Sequence, residues 1–294
     1  MTRLALLCAL VLAACGGSEA KAPPPEPAAA ATEAPTAAPA KRVDRFDADR
    51  AWATLEYQVK LGPRPAGSPA SRKLAAYIKA RLPNARYQNL PGGLRNVIGS
   101  IPGKGKPIVL AAHYDTKDIP DFVGANDGAG GTAALLELAR TLRKAKRPAN
   151  ASPIWFVAFD GEEATDDNDF YGTGLRGSKP FARKYAKRIK ELVLMDFIAN
   201  RQLAIPYEAS SDASMWADLR EAAERVGAGD AFPDLRQGVV EDDHTPFLRR
   251  GVPAIDLIDF NFPCWHKTCD DLTAVSKTSL DKSGEALFEF LRRR

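Results

Sequence analysis

The stretch "FDGEEATDD" places Glu162 directly beside Glu163, just after the apolar run "PIWFVAF". Adjacent carboxylates repel each other, and two settings tolerate them. One is a solvated acidic turn. The other is a metal site, where a cation neutralises one carboxylate and the neighbour stays free to take and return protons. The choice depends on what else could share the site. The chain has three histidines, His113, His244 and His266, each within two residues of an Asp or an aromatic. His113 and Asp115 follow the apolar run "PIVLAA", and Asp127 sits in "GANDGAGG" before a helical pattern. Asp196 lies near the end of "ELVLMDFI", and His266 follows "VPAIDLIDF" after a short loop. Imidazoles and carboxylates converging on one place suit zinc, which accepts nitrogen and oxygen donors. Such an ion would relieve the Glu162–Glu163 repulsion.

Convergence requires a scaffold, and the apolar patterning supplies one. "NVIGSI", "PIVLAAH", "PIWFVAF", "ELVLMDFI" and "VPAIDLIDF" are short, continuously apolar runs, the pattern of buried strands. Between and around them lie helical periodicities: "RFDADRAWATLEYQVKLG", "SPASRKLAAYIKARL", "AGGTAALLELARTLRKA", "DASMWADLREAAERVG" and "SLDKSGEALFEFLRR". Ser68 before Pro69 is a helix-start signal. The alternation predicts an α/β fold with a mainly parallel sheet and helices on both faces. In such sheets ligands collect beyond the carboxyl ends of the strands, where all the polar candidates fall.

The first residues follow a different pattern. A basic start, an apolar run from Leu4 to Leu12 and small residues before Cys15 describe an export signal, too short to span a bilayer. "VLAAC" resembles the bacterial lipoprotein signal. That likeness implies residues 1–14 as signal peptide and a lipidated Cys15 anchoring an exported protein at a membrane, with Gly16 favouring the outer membrane. Residues 15–42, Pro- and Ala-rich with little to pack, are expected to form a disordered tether. Residues 43–294 are expected to form one enzyme domain, long enough for a single large core.

The net charge of +4 identifies no partner. The basic runs "RTLRKAKR" and "KPFARKYAKRIK" read as solvated helix faces, and no zinc-finger spacing or aromatic-laced basic groove points to nucleic acid. Of the four cysteines, Cys8 falls in the signal and Cys15 at the anchor. Cys264 and Cys269 bracket "WHKT". For an exported chain this pair suggests a disulfide, with free thiols the alternative.

"HYD", "GANDGAGG", "FDGEEA", "LMD" and the later "WH" together resemble the zinc aminopeptidase family M28, which implies a phosphorylase/hydrolase-like three-layer α/β sandwich around a mainly parallel mixed sheet. "GPRPAGSPASRKLAAYI" resembles its N-terminal segment. "DDHTPFLRRGVPAIDLI" and "FPCWHKTCDD" resemble one branch, the animal-type glutaminyl-peptide cyclotransferases. The resemblance implies a zinc ion held by Asp127, Glu163 and His266, with Glu162 as the proton-handling carboxylate. It places His113 and Asp196 at a second zinc in the aminopeptidases. In the cyclotransferase likeness Asp196 instead faces Asp242, and the two share a proton. Asp115 is expected to orient a ligand from behind, and Trp265 to wall the substrate pocket. Three features depart from the branch: Asn168 where an aromatic is expected, Asp256 where a histidine is expected, and a polar loop from Thr165 to Gly174.

The reaction implied is conversion of N-terminal glutamine of peptides or proteins to pyroglutamate with release of ammonia. The alternative is a dinuclear zinc aminopeptidase hydrolysing N-terminal residues. The complete set Asp127, Glu162, Glu163 and His266 argues against a catalytically silent binding module. No oligomeric state is implied.

Overall fold

The computed structural model describes residues 44–294. Two helices open it, α1 (Ala48–Lys60) and α2 (Pro69–Arg81). Ser68 caps α2: its side chain accepts the Ser71 N–H at 3.0 Å, with Pro69 in the first turn, a cap worth about 1 kcal/mol. Then follow β1 (Arg86–Asn89), β2 (Arg95–Ile101), β3 (Ile108–His113), α3 (Ala129–Lys144), β4 (Ile154–Phe159), α4 (Phe170–Thr173), α5 (Ser178–Tyr185) and β5 (Glu191–Met195). The remainder is β6 (Tyr207–Glu208), α6 (Ala213–Arg225), β7 (Arg236–Gln237), α7 (Thr245–Leu248), β8 (Ala254–Leu257) and α8 (Lys277–Arg292).

The main sheet has the order β1-β2-β4-β3-β5-β8. β3, β4, β5 and β8 run parallel, and β1 and β2 add an antiparallel edge. The sheet is therefore mainly parallel but mixed, as the family resemblance implies. Side chains alternate across it. Leu110, Ala112, Val193 and Met195 join the core beneath α1, α2, α3, α6 and α8. Val109, Ala111, Leu192 and Leu194 join a smaller core with Phe181 of α5 and Phe247 of α7. Two details differ from expectation. β1 carries no apolar run, because as an exposed edge it has little to bury. β8 covers only Ala254–Leu257 of "VPAIDLIDF", because beyond it Asp259 accepts N–H groups of Ala204 and Asn261 and turns the chain out of the sheet.

The strand order creates the crevice that matters. From β3 the chain leaves through α3 on the face of the larger core, and from the adjacent β4 through α5 on the other. Connections of neighbouring strands that diverge this way open a cleft at their carboxyl ends.

The expected location requires correction. Among the described residues no helix is long and apolar enough to cross a membrane. The assignment as a membrane-anchored, exported lipoprotein is therefore withdrawn, together with its signal and lipidation labels. Cys15, the signal segment 1–14 and the tether 15–42 lie outside the described residues.

Candidate active site

Each candidate side chain arrives at the crevice by a different route. His113 is the last residue of β3 and is held there by Thr132 of α3, whose hydroxyl donates to the His113 carbonyl at 2.7 Å. Gly128, at φ 87°, lets the start of α3 pass close by; a Cβ there would sit 3.0 Å from the His113 ring and 2.9 Å from the Asp115 carbonyl. Asp127 occupies the turn before that helix. Asp270 fixes it by accepting the N–H groups of Asn126 at 2.8 Å and Asp127 at 3.0 Å. Glu162 and Glu163 leave β4 in a turn whose two N–H groups donate to Asp115, at 3.2 and 3.3 Å. Asp115 thus holds the backbone of the glutamate pair and also lies 3.6 Å from His113 Nδ1. Asp196 follows β5, its N–H bonded to the Leu257 carbonyl of β8.

Two donor groups result, and they share Asp127. In the first, the ligand atoms of Asp127, Glu163 and His266 all lie within 4.8 Å of one another; in the second, those of His113, Asp127 and Asp196 do. His266 Nε2 is 3.4 Å from Glu163 and 3.7 Å from Asp127. His113 Nε2 is 3.2 Å from Asp127 and 3.4 Å from Asp196. Glu162 lies beside these groups and belongs to neither.

The electrostatics favour a cation. Burial, reinforced by Asp127, pushes Glu163 up to about 7 despite the opposing His266. Glu162 is raised well above the carboxylate range, first by burial and then by Glu163, Asp242 and Asp243, which outweigh His113. Burial and then Asp196 lift Asp242 to about 7. For His113, burial opposes the proton, but the surrounding Asp196, Asp115 and Asp127 outweigh it and the ring is raised. Asp127 Oδ2, Glu163 Oε1 and both His113 nitrogens are buried without a hydrogen-bond partner. Buried polar atoms of this kind are normally satisfied. A divalent ion with nitrogen and oxygen ligands fits them.

A cavity of about 290 Å³ opens onto the site. Its floor holds Asp127, Glu162, Glu163, Asp196, Asp242 and His266, and its walls include Phe170, Phe197, Ile258, Phe260 and Trp265. Trp265 is 45% exposed, stacks on His266 with centroids 4.6 Å apart, and meets Phe260 edge-on at 5.2 Å. Asn168 turns away to bond Asp166, and Phe170 supplies the aromatic wall from the same polar loop. His244 is not at the cavity. It is buried behind it, 3.0 Å from the Ser210 hydroxyl and 3.6 Å from Asp256.

Three contributors were not singled out from the sequence. Arg64 is fully buried and donates to the carbonyls of Gln58, Gly62 and Val123, placing its charge behind Asp115, Asp270 and Asp127. Lys117 donates to the Ala164 carbonyl at 2.9 Å and pairs with Asp167, tying down the loop after the glutamates. The third is Asp270. All three occur in polar stretches with no periodicity to distinguish them.

Cys264 and Cys269 are joined in a disulfide. The closed loop carries Trp265 and His266, the latter at φ 52°, and leads into Asp270. One small ring therefore fixes a cavity wall, a donor to the first group and the residue gripping Asp127. Closing so short a loop is worth about 2 kcal/mol. Replacing both cysteines with Ser should weaken zinc binding by about 10- to 100-fold, as expected for loss of a support behind a ligand. Zinc titration against a competing chelator measures this; unchanged affinity would show that the loop is held without the bond.

Comparison with known proteins accords with this geometry. The model of Peptidase family M28 matches residues 96–291. A glutaminyl-peptide cyclotransferase of Bothrops jararaca is 31% identical over 296 residues, covering 82% of this chain and 80% of that protein. A solved glutaminyl cyclase from an Acidobacteriales bacterium superposes with a TM-score of 0.73 at 33% identity, covering 89% of this chain and 98% of that one. A structure described as a leucine aminopeptidase precursor, from Bacteroides thetaiotaomicron, superposes with a TM-score of 0.75 at 26% identity, covering 86% and 99%. By the extent of the family match and the identity to full-length relatives, the chain belongs to peptidase family M28, close to its glutaminyl cyclase branch.

Proposed function

We propose that this protein is a zinc-dependent glutaminyl-peptide cyclotransferase, which converts the N-terminal glutamine of a peptide or protein to pyroglutamate and releases ammonia. The observation that carries the reading is the position of Glu162: buried in the cavity floor, beside both donor groups and part of neither. The matches to glutaminyl cyclases support it. The catalytic unit is residues 43–294. One zinc is held by Asp127, Glu163 and His266. When bound, zinc supplies Lewis-acid polarisation of the glutamine side-chain carbonyl.

The chain's own residues do the rest. The cavity holds the α-amine against the side-chain amide of the same residue, so the attack is intramolecular. Glu162 takes a proton from the attacking amine and returns it to the departing nitrogen. A new C–N bond closes the lactam, the old one breaks, and ammonia leaves with the transferred proton. Asp196 and Asp242 are both buried and both raised, Asp196 by burial and then by Asp127 against the opposing His113, Asp242 by burial and then by Asp196; in this reading the two share one proton. Trp265 and Phe170 enclose the compact substrate end and exclude water, which would otherwise compete as nucleophile.

A second reading has one specific observation behind it. The group His113, Asp127 and Asp196 could hold a second ion, and Glu162 would then deprotonate an attacking water, giving an aminopeptidase. A direct assay separates the two. Given a short peptide with N-terminal Gln and another with N-terminal Leu, the protein should release one ammonia from the first, leave its backbone intact and not cleave the second. Free leucine from the second, without ammonia from the first, would overturn the cyclotransferase reading.

A further inference from the structure

The loop that carries Asp242 to the cavity is held at both ends by one buried side chain. Glu208, in β6, is fully buried. Its strand pairs in parallel with β7, and the chain continues from β7 into residues 238–244. Glu208 Oε1 accepts the N–H of Val240 at 3.0 Å, and Oε2 lies 3.5 Å from His244 Nε2. Between these anchors lie Glu241, Asp242 and Asp243, and Val240, Glu241 and Asp242 all line the cavity. Glu208 itself is immobilised: it accepts the Ser210 N–H at 3.0 Å and the hydroxyls of Ser210 and Ser211 at 2.9 and 2.8 Å. The Ser211 hydroxyl in turn accepts the Asp256 N–H of β8 at 3.0 Å, so the anchor is fastened to the main sheet. Burial would raise this carboxyl, but the contacts of His244, Ser210, Val240 and Ser211 prevail and hold it at about 2. It is an anion with every partner in place.

We infer that Glu208 is a positioning residue: through Val240 and His244 it sets the place of Asp242 opposite Asp196. Without it the loop would keep its α7 end, where the Asp242 and Thr245 backbones and hydroxyl are bonded, but would lose its grip on the far side. Asp256, where the cyclotransferase likeness leads to a histidine, lies 3.6 Å from His244 Nδ1 without a hydrogen bond to it.

The inference rests on the cyclotransferase reading, in which Asp242 acts with Asp196, and its test separates the two. Zinc-loaded wild type, Glu208→Gln, Asp242→Asn and the double variant are compared with a Gln-initiated peptide. Glu208→Gln should lower kcat by about 10- to 100-fold, the cost of a misplaced group, with zinc content unchanged. Added to Asp242→Asn it should cost less than about twofold more, since residues acting as one unit are not additive. Ser210→Ala, a milder change to the same anchor, should give a smaller loss that also vanishes in the Asp242→Asn background. Independently of activity, amide hydrogen exchange across residues 240–244 should rise in Glu208→Gln while that around Asp127 stays unchanged. Losses that multiply, or unchanged exchange in the loop, overturn the positioning role. If the wild type releases no ammonia, the cyclotransferase reading fails, and the exchange measurement still decides whether Glu208 holds the loop.

Discussion

Glu162→Gln should keep its zinc and lose turnover by about 100- to 10,000-fold, the range that a positioned acid/base contributes. The substitution is nearly isosteric. The turn stays in place, because Asp115 holds it through the N–H groups of residues 162 and 163, not through the side chain. Glu162 belongs to neither donor group, so metal content should be unaffected. What disappears is a carboxyl able to carry a proton from the α-amine to the leaving nitrogen. The companion variant Glu163→Gln should behave in the opposite order, losing metal affinity first, because Glu163 is a member of the first donor group. Zinc per chain and the rate of ammonia release, measured on both proteins, check the assignment. Zinc lost in Glu162→Gln and retained in Glu163→Gln would reverse the two roles.

Asp127→Ala should abolish zinc binding altogether, a larger effect than the roughly 10- to 100-fold cost of losing an outer support, because Asp127 is common to both donor groups. It also has a consequence for stability that a merely damaged fold would not show. In the metal-free protein Glu163, Asp242 and Asp270 are each raised to about 7, all first by burial, with Asp127 next for Glu163 and Asp270 and Asp196 next for Asp242. A folded-state value above the unfolded one means that the native state binds more protons between the two values. Stability of the metal-free protein therefore falls as pH rises from about 4.5 to about 7. Removing the Asp127 charge should flatten that fall. Zinc should raise the melting temperature of the wild type at neutral pH by mass action and leave the variant unmoved. Thermal melts with and without zinc across this pH range provide the measurement. A variant that still gains stability from zinc would show that the metal is held elsewhere.

The strands that carry the site could be read from the chain because each is a short apolar run flanked by turn residues, and burial on both faces leaves no other pattern. β3, β4 and β5 are of this kind. β1 was not legible, since an exposed edge strand imposes no periodicity. At the site, the residue types in "GANDGAGG" and "FDGEEA" identify donors and a proton carrier by chemistry alone, because paired acids beside apolar runs need a reason. The supports are different. Asp270 grips the Asp127 turn from 143 residues away, and Glu208 holds Val240 across 32. A lone polar residue in a loop looks the same in sequence whether it faces water or anchors a buried turn. So the sequence by itself determined the apolar strands and the amphipathic helices and which side chains can do chemistry, because these follow from local periodicity and donor type. Only the tertiary structure decided that Asp127 serves two donor groups, that His244 stands behind the cavity and that Asp115 holds a backbone turn. Those depend on strand order and on contacts between distant segments, which side-chain chemistry permits but does not specify.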